Sequence, residues 1–330
     1  MASIQRQATV VRDGFHNGFT DLQFWQGCYW IGYRKGSAHA SMDGVATISW
    51  SADRHRFREA ARLHMPGDNR DPKLLPLDDT RLAAYFPSWT HGSSRHDLQQ
   101  YIAFSNNGFD WTKPEPILDP RQWLWRVRRH DGRYYGLIQN LQGEWLPDRP
   151  PHQLDLAVSD DLMHWTTVTR IGEPFGLNES DLFWQPDGEA WLVARSALKP
   201  GNSFFGASRP PYTDWEVAEM APMVHAPVML QHQGRLYVAG RCQAATAGNP
   251  VSPFPGNSLG LWRVERGRLQ PVMHIPAIGD CSYPGLIVDP GGRVCLSYYS
   301  QHAYHLGIAT WPQDVGMPDD VYFAELELEP

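Results

Sequence analysis

A strand, a turn, a second strand and a third strand ending in a further turn recur along this chain about every fifty residues, and that period constrains the fold more than any bulk property. The turn and second strand read QGCYWIGYR, DDTRLAAYF, HDGRYYGLIQ, PDGEAWLVAR, HQGRLYVAGR and PGGRVCLSYY, beginning at Gln26, Asp78, His130, Pro186, His232 and Pro290. The closing turns are also alike: Ser51 to Phe57, Ser105 to Trp111, Ser159 to Trp165, and Ser208 to Trp215 with one extra residue. Each pairs a turn-forming Asp or Asn with an aromatic that packs over the hairpin, an architectural rather than a chemical device. A four-stranded blade fits this period, so the repeat predicts an all-β, six-bladed β-propeller in a single domain over 1–330. The segment ATVVRDG before the first unit is placed to close the ring. Five blades is the alternative, because the last two units lack the Ser…Trp turn.

The composition agrees. Fourteen Trp, 13 Tyr and 13 Phe beside 29 Gly and 27 Pro favour strands and tight turns, with few helices. A formal charge of −7 argues against a nucleic-acid partner, which needs a dense basic face. Arg126, Arg128 and Arg129 alternate across one strand, so only the first two share a face. Cys28, Cys242, Cys281 and Cys295 are widely spaced and read as reduced, structural thiols. No apolar stretch is long enough to span a bilayer, so no membrane partner is expected. The N-terminus MASIQRQATVVRDG lacks a signal-peptide core, which predicts a cytoplasmic protein unless a leader has been removed.

In a propeller the innermost strands line one channel, so residues at the same end of each strand meet although they are remote in sequence. If the first strand of each unit is innermost, its opening residues are His16, Asn17 and Asp21; Arg70 and Asp71; Trp125 and Arg126; Asn178 and Glu179; His225; and Ser282 with Tyr283. The return strands reach that mouth at Arg34, Trp89, Gln139, Arg195, Arg241 and His302. Stability alone does not favour so many charges between apolar strands, because desolvating unpaired charge is costly. Function is the economical explanation.

Two stretches sharpen it. Asn178-Glu179-Ser-Asp-Leu-Phe-Trp-Gln-Pro-Asp-Gly-Glu-Ala-Trp-Leu-Val-Ala-Arg195 resembles the blade of BNR-repeat sialidases in which a Glu opens the inner strand and an Arg closes the return strand. Ser282-Tyr283-Pro-Gly-Leu-Ile-Val-Asp-Pro-Gly-Gly-Arg resembles their last blade, where the Tyr is the nucleophile. The resemblance implies an exo-acting, retaining glycoside hydrolase. Tyr283 would be its nucleophile, Glu179 the base for the phenolic proton, Arg195 a carboxylate clamp and Arg241 a second one. It also implies that Asp43, in the loop after the first return strand, is the acid/base, assisted by His39. A phenol needs such a neighbouring carboxylate to become nucleophilic, and a planar guanidinium suits a substrate carboxylate. The chain departs from the family at the first blade, where Gly18-Phe19-Thr20-Asp21 replaces an Arg-Ile-Pro motif; Arg34, Arg70 or Arg126 would then complete the arginine set.

Three other readings compete. Asp21, Asp71 within Asn69-Arg70-Asp71-Pro72, and Glu179 resemble the acidic triad of propeller enzymes acting on furanosides and fructans. A non-catalytic glycan-binding propeller would use Trp25, Trp89, Trp123 and Trp125 for stacking. A polysaccharide lyase would use a Tyr or His base. His225 and Trp125 are further substrate-binding candidates, and a carbohydrate is the expected partner on every reading. No local motif predicts a metal or a cofactor.

Overall fold

The computed structural model describes residues 2–90, 97–141, 152–243, 256–304 and 316–328. Strand β1 (Ser3–Val11) precedes the first repeat. Blade one comprises β2 (His16–Trp25), β3 (Cys28–Gly36), β4 (Val45–Ser51) and β5 (Arg58–Leu63). Blade two comprises β6 (Asp68–Asn69), β7 (Lys73–Pro76), β8 (Leu82–Thr90), β9 (Asp97–Ser105) and β10 (Glu115–Pro116). Blade three has β11 (Gln122–His130), β12 (Arg133–Leu141), β13 (His152–Ser159) and β14 (Thr166–Ile171). Blade four has β15 (Leu177–Trp184), β16 (Ala190–Ser196), β17 (Ser203–Ser208) and β18 (Glu216–Met220). Blade five has β19 (His225–His232), β20 (Arg235–Gln243), β21 (Asn257–Glu265) and β22 (Arg268–Ile275). Blade six has β23 (Cys281–Val288), β24 (Val294–Ser300) and β25 (Asp320–Glu327).

The six sheets are antiparallel meanders, and the expected innermost strand heads each one. In blade two that strand is split into β6 and β7, which both pair with β8. Six blades is therefore the architecture, not five. The last sheet runs β1-β25-β24-β23, so the segment before the first repeat closes the ring as its outermost strand. Units five and six lack the Ser…Trp turn, yet they form full blades, because each blade gains its stability from strand pairing and from apolar packing between neighbouring sheets.

The closing turns repeat one hydrogen-bond pattern. Ser105 Oγ accepts the Gly108 N–H at 2.8 Å, Asn107 Oδ1 accepts the N–H groups of Phe109 and Asp110, and Trp111 Nε1 donates to the Gly108 carbonyl. The turn at Ser159 repeats it with Leu162, Asp161 and Trp165. These turns end the third strands and lie on the face opposite the mouth, so they are architectural. Gly108 is required twice, by its left-handed φ of 79 and because a Cβ there would meet the Trp30 ring at 2.1 Å.

Candidate functional site

The inner strands do not enter the mouth as regular pleats. Register shifts interrupt the pairing at Gly18/Asp21, Leu124/Val127, Leu177/Ser180, His225/Val228 and Ser282/Gly285. At or beside this level four non-glycine residues adopt left-handed backbone: Phe19 (φ 60), Asp71 (φ 43), Ala226 (φ 48) and Tyr283 (φ 45). Such bulges re-aim a side chain, and the strain they carry is tolerated where the surroundings over-determine it.

Tyr283 Oη donates a hydrogen bond to Glu179 Oε1 at 2.7 Å, joining the sixth blade to the fourth. Arg195 Nη1 donates to the same oxygen at 2.6 Å, and the Ala226 N–H, turned inward by its left-handed φ, donates to Oε2 at 2.8 Å. Burial favours a neutral Glu179, but Arg195, His225, Arg241 and the phenol outweigh it and bring its pKa down to about 2. Burial, with Glu179 and Asp71 nearby, holds the Tyr283 phenol well above its ordinary value. The resting pair is a carboxylate and a neutral phenol.

Asp71 is the second acid. It is buried, neither of its oxygens has a hydrogen-bond partner, and burial raises its pKa to about 6 against the pull of Arg70 and Lys73. The Lys73 ammonium lies 5.4 Å from the Tyr283 ring centroid, and burial and Arg126 lower its pKa to about 8. Arg70 donates to Asp68 at 3.0 Å and lies over the Phe19 ring at 4.5 Å. Arg241 lies 3.7 Å from Asp280. Arg70, Arg195 and Arg241 each keep a buried Nε without a hydrogen-bond partner. His225 donates from Nε2 to the Pro200 carbonyl at 2.8 Å; burial, Arg195 and Arg241 lower its pKa to about 3, so it is neutral. Trp125 stacks on Trp123 at 4.8 Å, lies 6.4 Å from the Tyr283 ring and donates to Gln139.

One wall of the mouth is built from residues remote in sequence. His16 Nε2 lies 2.8 Å from both Asp280 Oδ2 and Asp319 Oδ2, and His39 Nδ1 is hydrogen-bonded to Asp280 Oδ2. Tyr299 Oη donates to Asp280 Oδ1 at 3.1 Å. Among the described residues, His16, His39 and Asp280 form the one group offering three ligand atoms to a metal, all within 4.8 Å of one another.

Four expected site residues lie elsewhere or are committed to structure. Asp43 is exposed, and its carboxylate accepts hydrogen bonds from the Ser37 N–H and hydroxyl, which folds the loop locally instead of reaching Tyr283. Arg34 is fully buried: Nε pairs with Asp68, Nη1 donates to the Ala38 carbonyl and Nη2 to Ser41, so it braces that loop and has no group left for substrate. Asp21 and Arg126 are buried, Asp21 just past the register shift at Phe19 and Arg126 within the one before Val127. Asp21 accepts from Arg126 at 2.9 Å and from the Leu74 N–H at 2.9 Å, while Arg126 also donates to the carbonyls of Pro227 and Pro284. Together their hydrogen bonds tie five blades to one another, and both residues line a cavity of about 570 Å³ with Leu74, Arg128 and Leu182.

Phe19, Asp68, Lys73, Asp280, Asp319 and Tyr299 escaped the sequence reading as site residues. The Arg-Asp-Pro-Lys run was a usable signal for Lys73. Nothing local marks the others.

No protein-family model and no curated protein matches the chain in sequence. Solved structures do match in three dimensions. A Dyadobacter fermentans protein of unknown function superposes with a TM-score of 0.77 at 16% identity, covering 99% of each chain. Trypanosoma rangeli sialidase in complex with sialic acid gives 0.64 at 12%, over 98% of this chain and 58% of that one. The six-bladed propeller fold is thus shared with proteins that include glycoside hydrolases. Penicillium chrysogenum α-L-arabinanase, at 0.65 and 13%, covers 99% of this chain and 98% of its own. At such identities the likeness is one of fold, and the chemistry must be argued from the side chains.

Proposed function

We propose that this propeller is an exo-acting, retaining glycoside hydrolase that removes a terminal anionic sugar, with Tyr283 as nucleophile. The 2.7 Å hydrogen bond between Tyr283 and Glu179 carries this reading. As the Tyr283 oxygen bonds to the anomeric carbon, its proton passes to Glu179, and Asp71 protonates the departing glycosidic oxygen. Water then attacks the glycosyl-tyrosine with Asp71 as base, and Glu179 returns the proton to the phenolic oxygen. A neutral phenol avoids the repulsion that a carboxylate nucleophile would meet from an anionic substrate. Arg195, its side chain 26% exposed, and the neighbouring Arg241 supply positive charge for that anion. The Trp123–Trp125 stack offers an apolar face to a sugar ring.

The test is a panel of aryl glycosides, sialosides and uronides included, with the product anomer followed by proton NMR. Tyr283→Phe is expected to lower kcat by about 10³-fold or more, and a fluorinated substrate analogue should leave its mass on the peptide containing Tyr283. Full activity in Tyr283→Phe would overturn the proposal. Commitment of Asp21 to Arg126 and Leu74 speaks against the three-carboxylate furanosidase reading.

A further inference from the structure

The wall opposite Glu179 gathers two histidines and two carboxylates about one buried ring nitrogen. His16 is fully buried, and its Nε2 lies within 2.8 Å of two carboxylate oxygens, Asp280 Oδ2 and Asp319 Oδ2. A ring nitrogen carries one hydrogen, so it can satisfy only one of them. Asp280 and Asp319 therefore share that one nitrogen, and no other donor reaches either oxygen of the fully buried Asp319 side chain. Nδ1 of His16 is also without a partner. Buried carboxylates are ordinarily hydrogen-bonded, paired or bound to a metal.

We propose that His16 Nε2, His39 Nδ1 and Asp280 Oδ2 bind one divalent first-row transition ion, with Asp319 supplying a second negative charge beside it. The three ligand atoms lie within 4.8 Å of one another, the spacing that a common ion needs if it replaces the protons between them. Two imidazoles with one carboxylate select zinc, manganese or iron over calcium or magnesium, which prefer all-oxygen sites. Three protein ligands leave coordination positions open, as in sites that bind a substrate or water. His39 is the ligand with solvent access, its side chain 22% exposed, so those positions face the mouth. The Phe19 ring packs between the two halves of the mouth, 5.1 Å from the His39 ring and 5.0 Å from that of Tyr283. A bound ion would therefore be placed to take oxygen atoms of the same sugar that reaches Tyr283, and would clamp the loop carrying His39 onto the sixth blade. The site is independent of the hydrolase reading, since its ligands are not those of the Tyr283–Glu179 pair.

The experiment uses the full chain without an affinity tag, stripped with chelator and titrated with Zn²⁺ and separately with Mn²⁺ by calorimetry, with bound metal counted by mass spectrometry after dialysis. The wild type is expected to retain about one ion per chain, and His39→Ala and Asp280→Asn to bind at least about tenfold more weakly. The ion should raise the wild-type melting temperature and leave that of His39→Ala unmoved. His39 is the least buried ligand, so this variant decides the matter if Asp280→Asn fails to fold. Exposed His55→Ala serves as the control for adventitious surface binding. A wild type that retains no ion, or a His39→Ala protein that binds as the wild type does, overturns the proposal.

Discussion

Replacing Asp21 by Ala tests whether this carboxylate serves the ring or the reaction. Its side chain is 2% exposed and its partner Arg126 is 11% exposed, so the variant leaves a buried guanidinium with carbonyl acceptors and only the more distant Asp181, 3.9 Å away, as countercharge. Removing one partner of a buried pair costs about 3–5 kcal/mol. The Leu74 N–H also loses its acceptor, which offsets the countercharge that Asp181 still provides and keeps the expectation within that range. An unfolding entropy of about 2.1 cal/mol/K per residue, applied to 330 residues, gives about 0.7 kcal/mol/K, so the melting temperature should fall by about 4–7 °C. Scanning calorimetry at pH 7 reads the shift, and urea unfolding should show a lower midpoint with an unchanged slope. Asp21→Asn, which keeps the shape and one acceptor, should lose less. A melting temperature within a degree of wild type would refute the reasoning, and would return Asp21 to the list of residues that touch substrate.

Three further outcomes follow. Asp71 has a folded-state pKa near 6, above its ordinary carboxylate value of 3.8, so the native protein binds the proton more tightly than the unfolded chain and stability is lost as pH rises from about 4 to about 6. Asp71→Asn should therefore melt higher than wild type at pH 8 and nearly equal to it at pH 4, while losing turnover; equal melting at both pH values would show that burial does not hold the acid neutral. In the wild type, kcat should fall as pH rises through about 6, because the glycosidic oxygen needs the protonated form of Asp71, and Asp71→Asn should lack that limb in a pH–rate profile. Gly44→Ala should be strongly destabilised, since its Cβ would stand 1.8 Å from Asp68 Oδ1 and 2.7 Å from Arg34 Nε, prising apart a buried ion pair worth about 3–5 kcal/mol when broken; wild-type denaturation midpoints would contradict that packing.

The ring was legible in the sequence because each blade repeats the same turn chemistry, and because strand direction fixes which ends share a face. For the same reason Glu179, Arg195, Arg241 and Tyr283, all at strand ends on one face, could be grouped before any coordinates. Depth was not legible. Asp21 and Arg126 were counted as mouth residues, but they are buried at a register shift by Phe19 and another before Val127, and a bulge leaves no reliable mark on a sequence. Asp43 was misplaced for a different reason: the loop that carries it folds back on its own serine, and only the buried Arg34–Asp68 pair, formed between separate blades, determines where that loop lies. Asp280 and Asp319 were missed because their meaning depends on His16, some 264 and 303 positions away.

Strand β1 pairs with β25 across almost the whole length of the chain, from Ser3 opposite Glu327 to Val11 opposite Val321. During synthesis the earliest strand must therefore wait for the latest before its hydrogen bonds can form, and at translation rates of about 5–20 residues per second that delay is some tens of seconds. Five blades can assemble meanwhile as local meanders, but the well between them stays open to one side. Tyr283 meets Glu179 only after the ring has drawn together, so glycan-processing chemistry of the kind proposed would wait for the sixth blade to be made.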